Sequence, residues 1–196
     1  MHGGSVCANY PFDGFEQQSR CQREASVTPD DDVAIDLALT YSINNPEMYN
    51  SNSFDNGITN GAEWYCLYGG MQDWNYVWMG DVELTMELSN VKNPAASQLA
   101  GFWEDNRESL LAYLEKVHMG VKGRITSAAT GEPIVAEITV KGREDFVAYS
   151  EETFGDYFRL LLPGTYTVIV TAPGYSSASQ TVTVYEGEPT VLDIKL

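Results

Sequence analysis

The chain has 196 residues, of which 43% are hydrophobic and 12% aromatic, and its 28 Asp and Glu against 11 Lys and Arg give a net charge of −17. That length and apolar content support one sizeable core or two small ones, which excludes a disulfide-stapled mini-protein, and no apolar run approaches the ~20 residues that span a bilayer. The acidic field repels nucleic acid and anionic lipid and draws in cations, so a basic partner or substrate is expected.

The first segment, Met1-His2-Gly3-Gly4-Ser5-Val6, lacks the positively charged region and apolar stretch of a signal peptide. A strand-like run over 5–10 follows, so the His2 imidazole is expected to project from the beginning of a strand; a terminal His is ordinarily a solvated side chain. Asp13 comes just after Tyr10-Pro11-Phe12, a place where a loop Asp is commonly a turn former. Thr28-Pro29-Asp30-Asp31 predicts a helix start, with Thr28 as N-cap, Pro29 at the first helical position and acids in the first turn. Val33, Leu37, Ala38 and Tyr41 share one face of that helix, and Pro46 ends it.

Gly-, Asn- and Tyr-rich segments fill residues 50–81, a length that usually signals function when it holds no regular structure. Tyr65 lies there among Trp64, Tyr68, Trp74 and several glycines, in a loop that reads as a lid or as a packed Ω-loop. Val82-Glu83-Leu84-Thr85-Met86-Glu87-Leu88 alternates strictly, predicting a strand with Glu83, Thr85 and Glu87 on one side. Between Met86 and Leu88, a buried Glu87 would need a partner or a function, unless that face is wet. A second helix is expected from near Pro94, with an apolar stripe of Phe102, Trp103, Asn106, Leu110, Leu114 and Val117. His118 sits at its end, where a cation complements the helix dipole.

The texture changes near residues 118–120. Residues 1–118 hold 18 acidic and 5 basic side chains, whereas residues 119–196 hold 10 and 6 and consist of short β-branched or aromatic runs between Gly, Pro and charged turns. Seven strands are expected, near 121–127, 134–141, 146–150, 157–162, 165–172, 179–185 and 190–196, enclosing Ile125, Ile138, Val140, Phe158, Leu160, Val168, Val170 and Val182 in a sandwich. Cys7, Cys21 and Cys66 make an odd count without C-x-x-C spacing, so buried thiols are expected rather than a disulfide framework or thiolate metal site.

Four stretches carry a resemblance. They are His2-Gly3-Gly4-Ser5 with Asn9-Tyr10-Pro11-Phe12-Asp13; Gly57-Ile58-Thr59-Asn60-Gly61-Ala62 with Trp64-Tyr65; Gly69-Gly70-Met71-Gln72-Asp73-Trp74-Asn75-Tyr76; and Glu87-Leu88-Ser89 with Lys92. In order and spacing these resemble the zinc metallocarboxypeptidases of the regulatory carboxypeptidase N/E (D/E/M/N) subfamily. The resemblance implies an α/β fold over 1–118, the C-terminal portion of the mixed-sheet peptidase domain, then an all-β transthyretin-like, carboxypeptidase regulatory-like sandwich over 119–196. It implies Zn²⁺ as cofactor, with His2 as a zinc ligand, Glu87 as the catalytic acid/base and Tyr65 closing over the substrate. It places Asp13 and Gln72 on the floor of a pocket for a C-terminal Lys or Arg. The partners implied are peptide or protein C-termini ending in those residues, with no nucleic acid and no membrane span, in an extracellular or secretory setting.

In that family two further ligands come from a His-x-x-Glu motif, and an Asn and an Arg that hold the substrate carboxylate also precede the last His. This sequence has only His2 and His118 and no His-x-x-Glu. The expectation is a peptidase portion that is inactive alone and has the missing N-terminal half of the domain as a partner. The alternative is a non-catalytic remnant whose β-sandwich acts as a binding or interaction module.

Overall fold

Three strands lie at the heart of residues 1–116: β1 (Ser5–Tyr10), β2 (Ile58–Asn60) and β3 (Thr85–Ser89). They form one mixed sheet in the order β2-β1-β3, with β1 parallel to β2 and antiparallel to β3. As the central strand, β1 is buried along Val6–Tyr10 rather than on alternate residues. The computed structural model describes residues 1–196, the side chain of Ser19 apart, in two compact units, Met1–Lys116 and Val117–Leu196.

Helix α1 (Asp31–Ile43) packs on β1 through Val33, Ala34, Leu37, Ala38 and Tyr41, the face that the 3.6-residue period predicts. Its start differs from the sequence expectation. Asp30, not Thr28, is the N-cap residue, and Pro29 lies before the helix. The Asp30 carboxylate makes no capping bond and is buried, where the Tyr76 hydroxyl donates to its Oδ2 at 3.1 Å. Pro46 opens a further short helix, α2 (Pro46–Tyr49), whose cap Asn45 accepts from the Met48 amide.

Residues 50–81 are largely structured. Besides β2 they hold α3 (Gly61–Trp64), α4 (Met71–Trp74) and a π-helical turn over Asn75–Met79. Helix α5 (Leu99–Glu115) packs against α1 by only part of the expected stripe: Asn106 is buried and Phe102 and Leu110 are half-buried, whereas Trp103, Leu114 and Val117 are exposed and Ser109, outside the stripe, is buried. Polar contacts make that seam. Asn106 Oδ1 accepts from the Tyr41 hydroxyl at 2.9 Å and from Asn45 Nδ2 at 3.0 Å, so an amide replaces the apolar knob.

The second unit has two four-stranded sheets. One joins β4 (Val121–Thr126) to β7 (Asp156–Arg159), β10 (Thr190–Val191) and β11 (Ile194–Lys195); the other runs β6 (Ala148–Tyr149), β5 (Glu137–Val140), β8 (Gly164–Thr171), β9 (Ala178–Val184). The expected seventh strand is thus two, broken at Leu192 and Asp193, where the missing Cβ of Gly123 lets the Leu192 carbonyl approach. Ile125, Ile138, Val140, Val168 and Val170 are buried as expected, but Phe158 is exposed and Tyr157, Leu161 and Val184 are buried, with Val182 and Leu160 in between. A one-residue phase difference in β7 exchanges the faces of Tyr157 and Phe158.

Candidate active site

The residues before β1 do not simply protrude. The His2 amide donates to the Met86 carbonyl at 3.0 Å and the His2 carbonyl accepts from Leu88 at 2.8 Å, so this segment runs beside the outer edge of β3. Such close passage requires Gly3: a Cβ there would fall 2.5 Å from Ser89 Oγ and 2.6 Å from the Val91 carbonyl oxygen. His2 is thereby placed over Glu87, with Nδ1 at 3.2 Å from Glu87 Oε2 and from the Gly3 carbonyl oxygen. Glu87 is 4% exposed, and its Oε2, although near the imidazole, has no hydrogen bond of acceptable geometry. Opposite Glu87 in the sheet register, the Cys7 thiol is pushed up to about 12, by burial first and then by the Glu87 charge, which keeps it a neutral packing group.

Where β1 ends, the chain turns so that Asp13 is buried against Gly61, at the head of α3. A Cβ on Gly61 would collide with Asp13 Oδ1, so Gly61 is a steric condition for that carboxylate's position. Asn9 Nδ2 donates to Asp13 Oδ1 at 3.1 Å and Gln72 Nε2 reaches the same oxygen at 3.4 Å. The Gln72 carbonyl oxygen has no partner, although the residue is only 2% exposed. Burial raises the Asp13 pKa, partly offset by the bond from Asn9.

These side chains line one cavity of 140 Å³: His2 and Glu87 with Tyr65, and Asn9, Asp13 and Gln72 with Glu83. The structure therefore brings together His2, Asp13, Tyr65, Gln72 and Glu87, the five residues singled out by resemblance. Tyr65 is 45% exposed, its ring edge-on to Trp64 at 4.7 Å, and its hydroxyl pKa is raised by burial and then by the Glu87 and Asp13 charges. Among the described residues, no Lys or Arg pairs with Asp13, Asp73, Glu83 or Glu87. His118 stands apart, exposed in the turn after α5.

Three features escape sequence reasoning. Asp73 supports the cavity floor from behind, accepting from the Asp13 amide at 2.9 and 3.1 Å, a contact across 60 residues. Cys21 and Cys66 form a disulfide, correcting the expectation of buried thiols and tying the segment after Asp13 to the residue next to Tyr65; Cys7 alone is free. A loop closed over 45 residues is worth about 4 kcal/mol in the chain-entropy picture. Gly61 looks like any turn glycine until its neighbour is known.

Burial, ahead of the nearby Asp13 charge, pushes the Asp73 carboxyl up to about 6 against the hydrogen bonds that hold it down. A folded-state pKa raised above the unfolded value adds stability at low pH that is lost as pH rises through about 6. The melting temperature of the unit is expected to gain from Asp73 on acidification from pH 7 to 5. Asp73→Asn should flatten that part of the profile in thermal melts; an unchanged profile would remove Asp73 as its source.

As a metal donor set the chain offers one imidazole, His2, beside the buried Glu87 carboxylate. Among the described residues no group of three or more His, Cys, Asp and Glu is arranged to hold a metal ion. A zinc site ordinarily takes three or four protein ligands, and His2 is the one imidazole that lines this cavity.

Comparison with known proteins accounts for both units. The zinc carboxypeptidase family model matches residues 1–109, and the carboxypeptidase regulatory-like domain model matches residues 120–196. The chain is 45% identical to the carboxypeptidase N catalytic chain of Homo sapiens, over 100% of this chain and 44% of that protein. It is 42% identical to carboxypeptidase M of Mus musculus, over 94% and 43%, and 44% identical to carboxypeptidase D of Homo sapiens, over 100% and 15%. It spans less than half the length of these relatives. With the family model covering more than half of its residues, and His2, Tyr65, Gln72 and Glu87 meeting in one cavity, the chain belongs to the zinc carboxypeptidase family.

Proposed function

We propose that this chain forms the catalytic-base and specificity-pocket side of a peptidase that releases C-terminal Lys or Arg from peptides. The observation that carries this is the cavity itself: Gln72 lines it with a buried carbonyl oxygen that has no donor, Glu87 with a buried carboxylate beside His2 and no Lys or Arg, and Asp13 and Glu83 add carboxylates without a basic partner. A buried acceptor array without a cation favours a ligand that brings N–H donors and positive charge.

In this reading His2 would hold zinc together with ligands from outside this chain. Bound zinc would supply Lewis-acid polarisation of the scissile carbonyl and of water. Glu87, desolvated beside His2, takes the proton from the attacking water at a carboxylate oxygen and delivers it to the leaving amine. Asp13, fixed by Asn9 and by the Asp73 bonds to its own amide, receives the basic side chain, with Gln72 Oε1 accepting a further N–H. Exposed Tyr65 closes the opening. The Cys21–Cys66 disulfide suits the oxidising, secretory setting of this reading, and among the described residues no helix is long and apolar enough to cross a membrane.

With one zinc ligand of its own, the 196-residue chain alone is expected to lose zinc on dialysis against a weak chelator and to release no C-terminal Lys. A complete peptidase containing it should hold one zinc ion and cleave. Metal analysis and amino-acid release on the same samples test this. Stoichiometric zinc with chelator-sensitive activity in the isolated chain would overturn the divided ligand set.

A further inference from the structure

Antiparallel pairing of β1 with β3 sets Cys7 opposite Glu87 and Asn9 opposite Thr85. That ladder ends at Asn9 and Thr85, and Asp13 and Glu83 both lie beyond this end of it. Thr85 and Glu87 line the cavity from β3, as the two-residue period of the strand requires, and Glu83 lines it from the segment just before β3. Glu83 lies two residues before β3, its amide donating to the Asp81 carbonyl at 3.0 Å, and its side chain lines the same cavity as Asp13 and Gln72. The Glu83 carboxylate is held in place by a hydrogen bond to Oε2 from Asn75 Nδ2, and no ion pair among the described residues engages it. Independently of these acids, Gln72 directs attention to a ligand at this end: it is 2% exposed, and its carbonyl oxygen lacks a donor.

We infer that Glu83 is a second recognition anion of the cavity, selecting a guanidinium over an ammonium at the C-terminal residue of the substrate. The inference rests on the basic-residue reading of the pocket. An ammonium is a compact point charge with three donors, which Asp13 and Gln72 can largely occupy. A guanidinium presents five N–H groups in a planar fork and can engage Asp13, Gln72 and a further carboxylate at once.

The test uses the 196-residue chain with butylguanidine and butylamine as probes of the Arg and Lys side-chain ends, each titrated while backbone amide NMR shifts are followed. Wild type is expected to bind both, butylguanidine roughly tenfold more tightly. Glu83→Gln should abolish that preference with little change for butylamine, whereas Asp13→Asn should weaken both. If thermal melting shows that Glu83→Gln does not fold, Glu83→Asp is read the same way, its shorter carboxylate being expected to reduce the guanidinium preference. Binding of both probes with an unchanged ratio in the folded Glu83 variant overturns the role of Glu83 alone. Binding of neither probe by wild type overturns the basic pocket itself, and this inference with it.

Discussion

Replacement of Glu87 by Gln in a complete peptidase containing this chain should lower kcat by roughly 10²–10⁴-fold, the usual cost of removing a general acid–base. The amide fills the same buried volume next to Met86 and Leu88 but cannot accept the proton of the attacking water. Zinc content should remain at one per molecule, and KM for a Lys-ended peptide should change little, because the side chain is received at the other end of the cavity. Steady-state kinetics with parallel metal analysis separate these effects. A Gln variant turning over at the wild-type rate would remove Glu87 from the chemistry.

Asp13→Ala should reduce kcat/KM for peptides ending in Lys or Arg by about 10²–10³-fold, in line with truncating one partner of a buried charge pair. The loss includes the unpaired cation left against Gln72 and Asn9, so it exceeds the worth of one hydrogen bond. Peptides ending in Leu should lose nothing and gain modestly, since the apolar side chain no longer strands a buried anion. Competition assays on paired peptides read the ratio directly. A variant that keeps its preference for basic termini would move the recognition element away from Asp13.

Local periodicity explains which parts of this structure are legible in the sequence. The alternation of Thr85, Met86, Glu87 and Leu88 is visible in the sequence, although β3 runs over Thr85–Ser89 and leaves out Val82, Glu83 and Leu84, and the Val33, Leu37, Ala38 and Tyr41 face is visible in nine residues, because each depends on one element and its repeat. Phe158 and Tyr157 were exchanged because adjacent aromatic residues fit either phase of a strand, and only pairing with β4 sets the phase. The α5 stripe held at Asn106 and misled at Trp103, Leu114 and Val117, which satisfy a helical period but are exposed, because Asn106 anchors this face by hydrogen bonds from Tyr41 on α1 and from Asn45, the cap of α2. Contacts across long separations leave no local trace: Asp73 under Asp13, the Cys21–Cys66 disulfide, and Gly61 yielding space to a carboxylate 48 residues earlier. The site residues were readable through the resemblance of their motifs, not through any property of each residue alone.

Central to the proposed function is that a basic C-terminal side chain enters the cavity that ends at Glu87. Its most direct measurement is the ratio of kcat/KM for two peptides that are identical except for a terminal Arg or a terminal Phe, with the complete zinc-loaded peptidase. A ratio of roughly 10² or more in favour of Arg is expected, since Phe leaves the carboxylates and the Gln72 oxygen without donors. Equal rates, or faster release of Phe, would contradict the assignment of Asp13 and Gln72 as the specificity floor.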